Sequence, residues 1–224
     1  MCGRLNIIAD PLVQLLMQTV GQRYAVTTKL NVAPTESVPV LRYEDGWSLT
    51  EMRWWLVPCW SDGPSSKFSM FNARSETLTK SRAYREPFAS RRCVIPVSGY
   101  YEWRSSAGQR QPMYFTPEDG SGFLLAGLWD AWQSADGALL SCSIITASAP
   151  PQLSRFHHRV PVQLAASDLM TWLDEGTSIQ ALADLMQSGL PGPIVVCDVS
   201  RAVNNARYKD ERCLQALTEP EIIL

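Results

Sequence analysis

Apolar positions in this chain follow two different periods. Near the N-terminus Leu12, Leu15, Leu16 and Val20 recur at three- and four-residue spacing, which predicts an amphipathic helix. Asp10-Pro11 supplies its start signal and Gly21 its stop. Beyond it the apolar residues come in short runs rich in β-branched and aromatic types. Val38 to Tyr43 and Trp47 to Leu56 flank Glu44-Asp45-Gly46, a hairpin signal. Cys93–Trp103, Met113–Thr116, Phe123–Trp132, Ala138–Thr146 and Val160–Leu164 predict further strands, separated by turns such as Asp119-Gly120 and Asp136-Gly137. Residues 78–91 predict a helix interrupted near Pro87, and 167–173 and 178–188 two short helices, before 191–200 returns to strand. Asn31-Val32-Ala33-Pro34 is read as a loop entry and 61–66 as a flexible loop. With no repeat, low-complexity tract or linker, the pattern predicts one α+β domain over 1–224. Short antiparallel strands dominate it in a barrel-like arrangement, with a few peripheral helices.

Composition narrows the class. The 224 residues are 46% hydrophobic, enough to bury a sizeable core. No uncharged apolar run is long enough to span a membrane, and the basic-then-apolar pattern of a signal peptide is missing. The six cysteines are scattered without a C-x-x-C pair, which indicates neither a zinc site nor a disulfide framework and points to a reduced, cytoplasmic protein. A net charge of −2 gives no overall pull toward nucleic acid, so a DNA-binding role requires basic residues gathered on one face. Neither a cofactor nor a metal is expected, and the chain is expected to be a monomer.

Four polar segments carry candidate chemistry. The first is Met1-Cys2-Gly3-Arg4. Removal of Met1, by an aminopeptidase or by self-processing, would leave Cys2 with an α-amine and a thiol on one carbon, both partly available near neutral pH. Together they can capture an aldehyde, the amine as a Schiff base and the thiol closing it into a thiazolidine. Asn72 and Arg74 stand two apart, on one face if extended; an Asx turn beside a solvated arginine accounts for them equally well. Glu102 lies between bulky aromatics in Gly99-Tyr100-Tyr101-Glu102-Trp103, where desolvation would raise its pKa toward the range of general acid–base work, unless it faces outward. His157 and His158 are expected to point to opposite sides of an extended segment, so that one of them serves a given site. Their spacing is not that of a helical metal pair.

Taken with Asn31-Val32-Ala33-Pro34, Trp54-Trp55-Leu56-Val57-Pro58-Cys59-Trp60, His157-His158-Arg159-Val160-Pro161 and Val199-Ser200-Arg201-Ala202-Val203-Asn204, these segments closely resemble the SOS-response-associated peptidase family, in order along nearly the whole chain. The chain departs from that family at Trp55, Cys59, Ser98, His158 and Val160. The resemblance implies a protein of the DNA damage response that cross-links to abasic sites in single-stranded DNA and joins the nucleoid when bound. It implies that Cys2 captures the ring-opened sugar and that Asn72 orients it. Glu102 is implied as the acid–base group, and His157 as a contact to the sugar or its 3′ phosphate. Arg4 and Arg74 are implied as phosphate clamps, and Trp54 and Trp55 as base-stacking residues. The peptidase label implies removal of the residue before the cysteine. The alternative left by the residues alone is an N-terminal-nucleophile amidohydrolase, in which Cys2 attacks an amide carbonyl. A non-catalytic single-strand binding module would leave Cys2 and Glu102 without a purpose.

Overall fold

A computed structural model describes residues 2–106, 108–187 and 189–224. Met1, whose removal the sequence anticipates, lies outside the described residues, as does Ser188, the expected end of the last helix.

The chain opens with a short strand, β1 (Leu5–Ile7), then helix α1 (Ala9–Val20) and β2 (Lys29–Val32). Helix α1 starts before the Asp10-Pro11 signal, with Ile8 at its cap, and stops where expected. Gly21 adopts φ 70° and its N–H closes onto the Met17 carbonyl, a conformation that favours glycine. Strands β3 (Ser37–Tyr43) and β4 (Trp47–Trp54) form the predicted hairpin, turning through Asp45 and Gly46 at positive φ.

A long loop leads to β5 (Asn72–Arg74) and to a short helix α2 (Arg85–Ser90). The helix expected over 78–91, interrupted near Pro87, forms only as α2, which runs through Pro87. Leu78 and Tyr84 are both buried, and at about 100° per residue six helical steps would point them far apart around one axis. Turns at Thr77–Lys80 and Ser81–Tyr84 let both side chains reach the core instead.

Strands β6 (Arg92–Val97) and β7 (Gly99–Ser106) replace the single run expected over Cys93–Trp103. The chain changes sheet at Ser98, whose N–H donates to the Asn6 carbonyl at 2.8 Å while its hydroxyl accepts from the Ile8 N–H at 2.8 Å. Then follow β8 (Gln109–Pro117), β9 (Phe123–Ser134), β10 (Gly137–Ser148), helix α3 (Pro151–Ser154), β11 (Arg159–Pro161), helices α4 (Leu169–Leu173) and α5 (Ile179–Leu185), and strands β12 (Ile194–Asp198) and β13 (Glu221–Ile223).

Two sheets result. One has the order β13-β12-β8-β7-β1-β2; the other runs β11-β10-β4-β3-β6-β9 and closes through the β9–β10 pairing into a five-stranded barrel. Among the described residues the parallel pairings are those of β10 with β4 and β5. This is an α+β architecture in which antiparallel strands dominate and the few helices are short.

The barrel interior and the facing sheet share one apolar cluster containing Leu5, Val40, Met52, Trp54, Ile95, Tyr100, Phe115 and Ile144, with Cys2 inside it. Among the described residues no helix is long and apolar enough to cross a membrane.

Candidate active site

The N-terminal segment is laid against the start of β7. Leu5 pairs with Tyr100 and Asn6 with Gly99, and the Tyr101 N–H donates to the Arg4 carbonyl at 3.0 Å. Gly99 is required there by space rather than by φ, since a Cβ would sit 2.5 Å from the Phe115 carbonyl oxygen. The Asn6 side chain locks the arrangement, donating to the Tyr101 hydroxyl at 2.6 Å and accepting from the Asn31 N–H at 2.8 Å. The result is a fully buried Cys2. Burial pushes its thiol pKa well above the ordinary value, and the nearby Glu102 charge pushes the same way.

Asn72 reaches Cys2 from the barrel side. Strand β5 hangs on β10, with Asn72 opposite Ile144, and the Asn72 amide donates to the Cys2 carbonyl at 2.7 Å. Its Oδ1 is buried without a hydrogen-bond partner, a state that costs about 1–3 kcal/mol unless a ligand satisfies it.

Glu102 is 2% exposed. Burial drives its carboxyl up to about 7, so at neutral pH it can either give or take a proton. His157 follows α3 in a turn, with its N–H donating to the Leu153 carbonyl at 3.2 Å. Its Nδ1 lies 3.6 Å from Glu102 Oε1, 2.8 Å from the Arg159 carbonyl and 3.2 Å from the Arg159 N–H. One nitrogen of a neutral imidazole donates or accepts, not both; the shorter contact places the proton on Nδ1 and leaves Nε2 basic. Burial lowers the pKa of His157. His158 does not project to the opposite side as an extended segment would require. Because the segment turns, its ring lies 4.3 Å from that of His157, tilted by 38°, while the residue itself is exposed.

Gly3, Arg4, Pro34, Phe71, Glu102, Trp103, Arg110, His157 and Asn204 line a cleft of about 390 Å³. Cys2, joined to Asn72 by their hydrogen bond, directly precedes the lining residues Gly3 and Arg4 in the chain. Of the expected site residues, Arg4, Glu102 and His157 line this cleft, and Cys2 and Asn72 are not among its lining residues. Arg74 is exposed where β5 gives way to a turn at Ser75–Thr77, outside the cleft lining.

The tryptophan expectation needs correction. Trp54 is fully buried, its indole N–H donating to the Phe71 carbonyl at 2.9 Å and its ring meeting Phe71 edge-on at 5.7 Å, so no base can stack on it. Trp55 is half-buried, donates to the Ser65 carbonyl at 3.1 Å and backs Phe71 at 5.5 Å. The aromatic that does line the cleft is Trp103. Its indole N–H donates to Asn204 Oδ1 at 2.6 Å, and the guanidinium carbons of Arg4 and Arg110 stand 5.9 and 5.3 Å from its ring centroid. Arg110 was not singled out by the sequence reading, and Asn204 entered only as the end of the Val199–Asn204 segment, without a role. The β7–β8 register pairs Ser105 with Arg110 and Trp103 with Pro112, which sets Arg110 on the Trp103 face; a hairpin counted outward from Gly108 carries that signal. Among the described residues no group of three or more His, Cys, Asp or Glu is placed to hold a metal ion.

This architecture has solved counterparts. A crystal structure of a Bacteroides thetaiotaomicron protein superposes with a TM-score of 0.79 at 20% identity, covering 97% of this chain and all of that one. Among curated relatives, the abasic site processing protein YoaM of Bacillus subtilis is 30% identical over 224 residues, covering 96% of this chain and 98% of its own. The abasic site processing protein HMCES of Pongo abelii is 33% identical over 200 residues, of which the match covers 56% of its length and 74% of this chain. The profile of the SOS response associated peptidase (SRAP) family matches residues 1–206, and the chain belongs to that family.

Proposed function

We propose that this protein captures abasic sites in single-stranded DNA as a covalent thiazolidine on Cys2. The observation that carries this reading is the placement of a buried carboxyl with a pKa of about 7, Glu102, beside His157 and within electrostatic reach of Cys2. The relatives named as abasic site processing proteins supply the lesion.

An abasic deoxyribose is mostly a closed hemiacetal. Glu102 takes the proton of the anomeric hydroxyl and returns one to the ring oxygen, opening the sugar to an aldehyde. The Cys2 amine, exposed once Met1 is gone, adds to that carbon, and loss of water gives an imine. The thiol then adds: its sulfur bonds to the imine carbon, the C=N electron pair moves to nitrogen, and the thiol proton passes through Glu102 to that nitrogen. Because burial keeps the thiol protonated, this last step needs a base at hand, which Glu102 provides. Asn72 fixes the Cys2 backbone and offers Oδ1 to a sugar hydroxyl, while His157 bears on the sugar or the 3′ phosphate. Without closure, the imine would favour β-elimination and strand breakage.

Arg4 and Arg110 supply phosphate contacts and Trp103 a stacking face, with Arg74 as a further phosphate contact outside the cleft. None of these reads sequence. The protein is proposed to act as a cytoplasmic monomer that joins the nucleoid when bound. The test is incubation with a single-stranded oligonucleotide carrying one abasic site, followed by a denaturing gel. A heat-stable protein–DNA band is expected. No band, together with hydrolysis of small amide substrates, would support the amidohydrolase alternative instead.

A further inference from the structure

One ion pair ties together two of the segments that build the cleft. The Arg159 guanidinium meets the Glu76 carboxylate in a two-pronged contact, at 2.9 and 3.0 Å. It also donates to the Thr146 carbonyl at 2.5 Å and to its hydroxyl at 3.3 Å. The Arg159 side chain is 11% exposed. Most of its donors are thus spent inside the protein, which suits an anchor rather than a hand held out to a phosphate. The same hydrogen bonds hold the Glu76 carboxyl below its ordinary pKa, so the pair stays charged across the neutral range.

What the anchor secures is the turn that carries His157. The backbone N–H and carbonyl of Arg159 lie nearer to His157 Nδ1, at 3.2 and 2.8 Å, than the Glu102 carboxylate at 3.6 Å. That turn is also bonded from the Phe156 and His157 N–H groups to the Leu153 carbonyl and from the Ala149 N–H to the His158 carbonyl, and it runs into the three-residue strand β11. Glu76 itself follows Asn72 by four residues, in the turn that leaves β5. Its carboxylate therefore connects the segment bearing Asn72 to the segment bearing His157.

We infer that Glu76 is a positioning residue, gripping Arg159 through its side chain so that the Arg159 backbone holds the His157 ring in one orientation and one tautomer at the cleft. This rests on the role proposed above for His157. Thr146 provides the second grip, and the exposed side of the pair lets Glu76 be changed without emptying a core position.

Glu76→Gln and Arg159→Lys test it, the first keeping size and the second keeping charge while losing the fork. The chain has two histidines, so nitrogen-15 spectra of histidine-labelled protein resolve His157 directly, without DNA. The native protein should show His157 as the Nδ1-protonated form at neutral pH. Both variants should show a mixture of tautomers and a His157 pKa moved further below its ordinary value, because the Arg159 backbone contact they loosen raises it. Cross-linking to an abasic oligonucleotide should slow by about 10- to 100-fold, and Glu76→Gln combined with His157→Ala should be no slower than His157→Ala alone. An unmoved His157 spectrum in both variants, or effects that add in the double variant, overturns the inference. A moved His157 with an unchanged cross-linking rate upholds the positioning and contradicts the role proposed for His157 instead.

Discussion

Glu102 Oε1 lies 3.6 Å from His157 Nδ1, with the two side chains 3% and 16% exposed. The same burial acts on them in opposite directions, raising the carboxyl to about 7 and lowering the imidazole. Around neutral pH the carboxyl passes between its acid and carboxylate forms beside an imidazole that burial disfavours charging. Cross-linking rate should therefore change with an inflection near pH 7. Glu102→Gln should remove that inflection and slow the reaction by roughly 10²-fold or more, with DNA affinity kept. Collapse of affinity at an unchanged chemical rate would make Glu102 structural.

Stability carries the same signature. The folded carboxyl at about 7 stands above its ordinary 4.5, so between those pH values the native state holds a proton that the unfolded state has released. Raising pH through that window therefore destabilises the native state, by roughly 3 kcal/mol in total. Glu102→Gln escapes this penalty, and its stability relative to the native chain should rise from pH 4.5 to pH 7. His157 contributes the opposite trend in acid and is common to both proteins. Urea melts of the two proteins at pH 4.5 and pH 7.5 measure the difference; a gap independent of pH would mean that Glu102 is not held protonated by burial.

The histidines should separate cleanly. His157→Ala should impair cross-linking, whereas His158→Ala, which removes an exposed ring packed outside His157, should leave it within a few-fold. The reverse ranking in single-turnover assays would move the site by one residue.

The tryptophans give a contrast that distinguishes surface from core. Trp103→Ala should weaken binding to single-stranded DNA by about 1–3 kcal/mol with little loss of stability. Trp54→Ala should cost about 3–5 kcal/mol of folding stability through the cavity it leaves. Arg4→Ala and Arg110→Ala should each flatten the salt dependence of binding without changing any sequence preference. Equilibrium binding across a salt series, paired with thermal melts, reads all four; a Trp54 variant that folds normally yet loses DNA would reverse the assignment.

Much of this architecture was legible in the chain because local chemistry agrees with the fold. Glu44-Asp45-Gly46 sets the β3–β4 hairpin and Asp136-Gly137 the β9–β10 hairpin, while Gly21 ends α1. What escaped depends on long-range partners. Strand β5 is three residues, two of them polar, whose ladder comes from β10, some 70 positions away. The break at Ser98 interrupts a continuous β-favouring run, and only the Asn6 and Ile8 backbone explains it. Trp54 and Trp55 are alike in sequence but alternate across the end of β4, one into the barrel and one toward the loop. Cys2, Asn72, Glu102 and His157 were each recognisable by motif, yet the hydrogen bond from Asn72 to the Cys2 carbonyl is a product of the fold.

The most direct measurement of the central claim is the intact mass of the adduct formed with an abasic single-stranded oligonucleotide, before and after borohydride, for the native chain and for Cys2→Ser. The account predicts a native adduct equal to the chain without Met1 plus the oligonucleotide minus one water, linked at Cys2 and inert to borohydride because the ring has no C=N bond. Cys2→Ser should give little stable adduct, and what forms should be an imine that takes up hydride, accompanied by strand cleavage. A borohydride-inert adduct of normal yield from Cys2→Ser, or a native adduct attached at any residue other than Cys2, would contradict it.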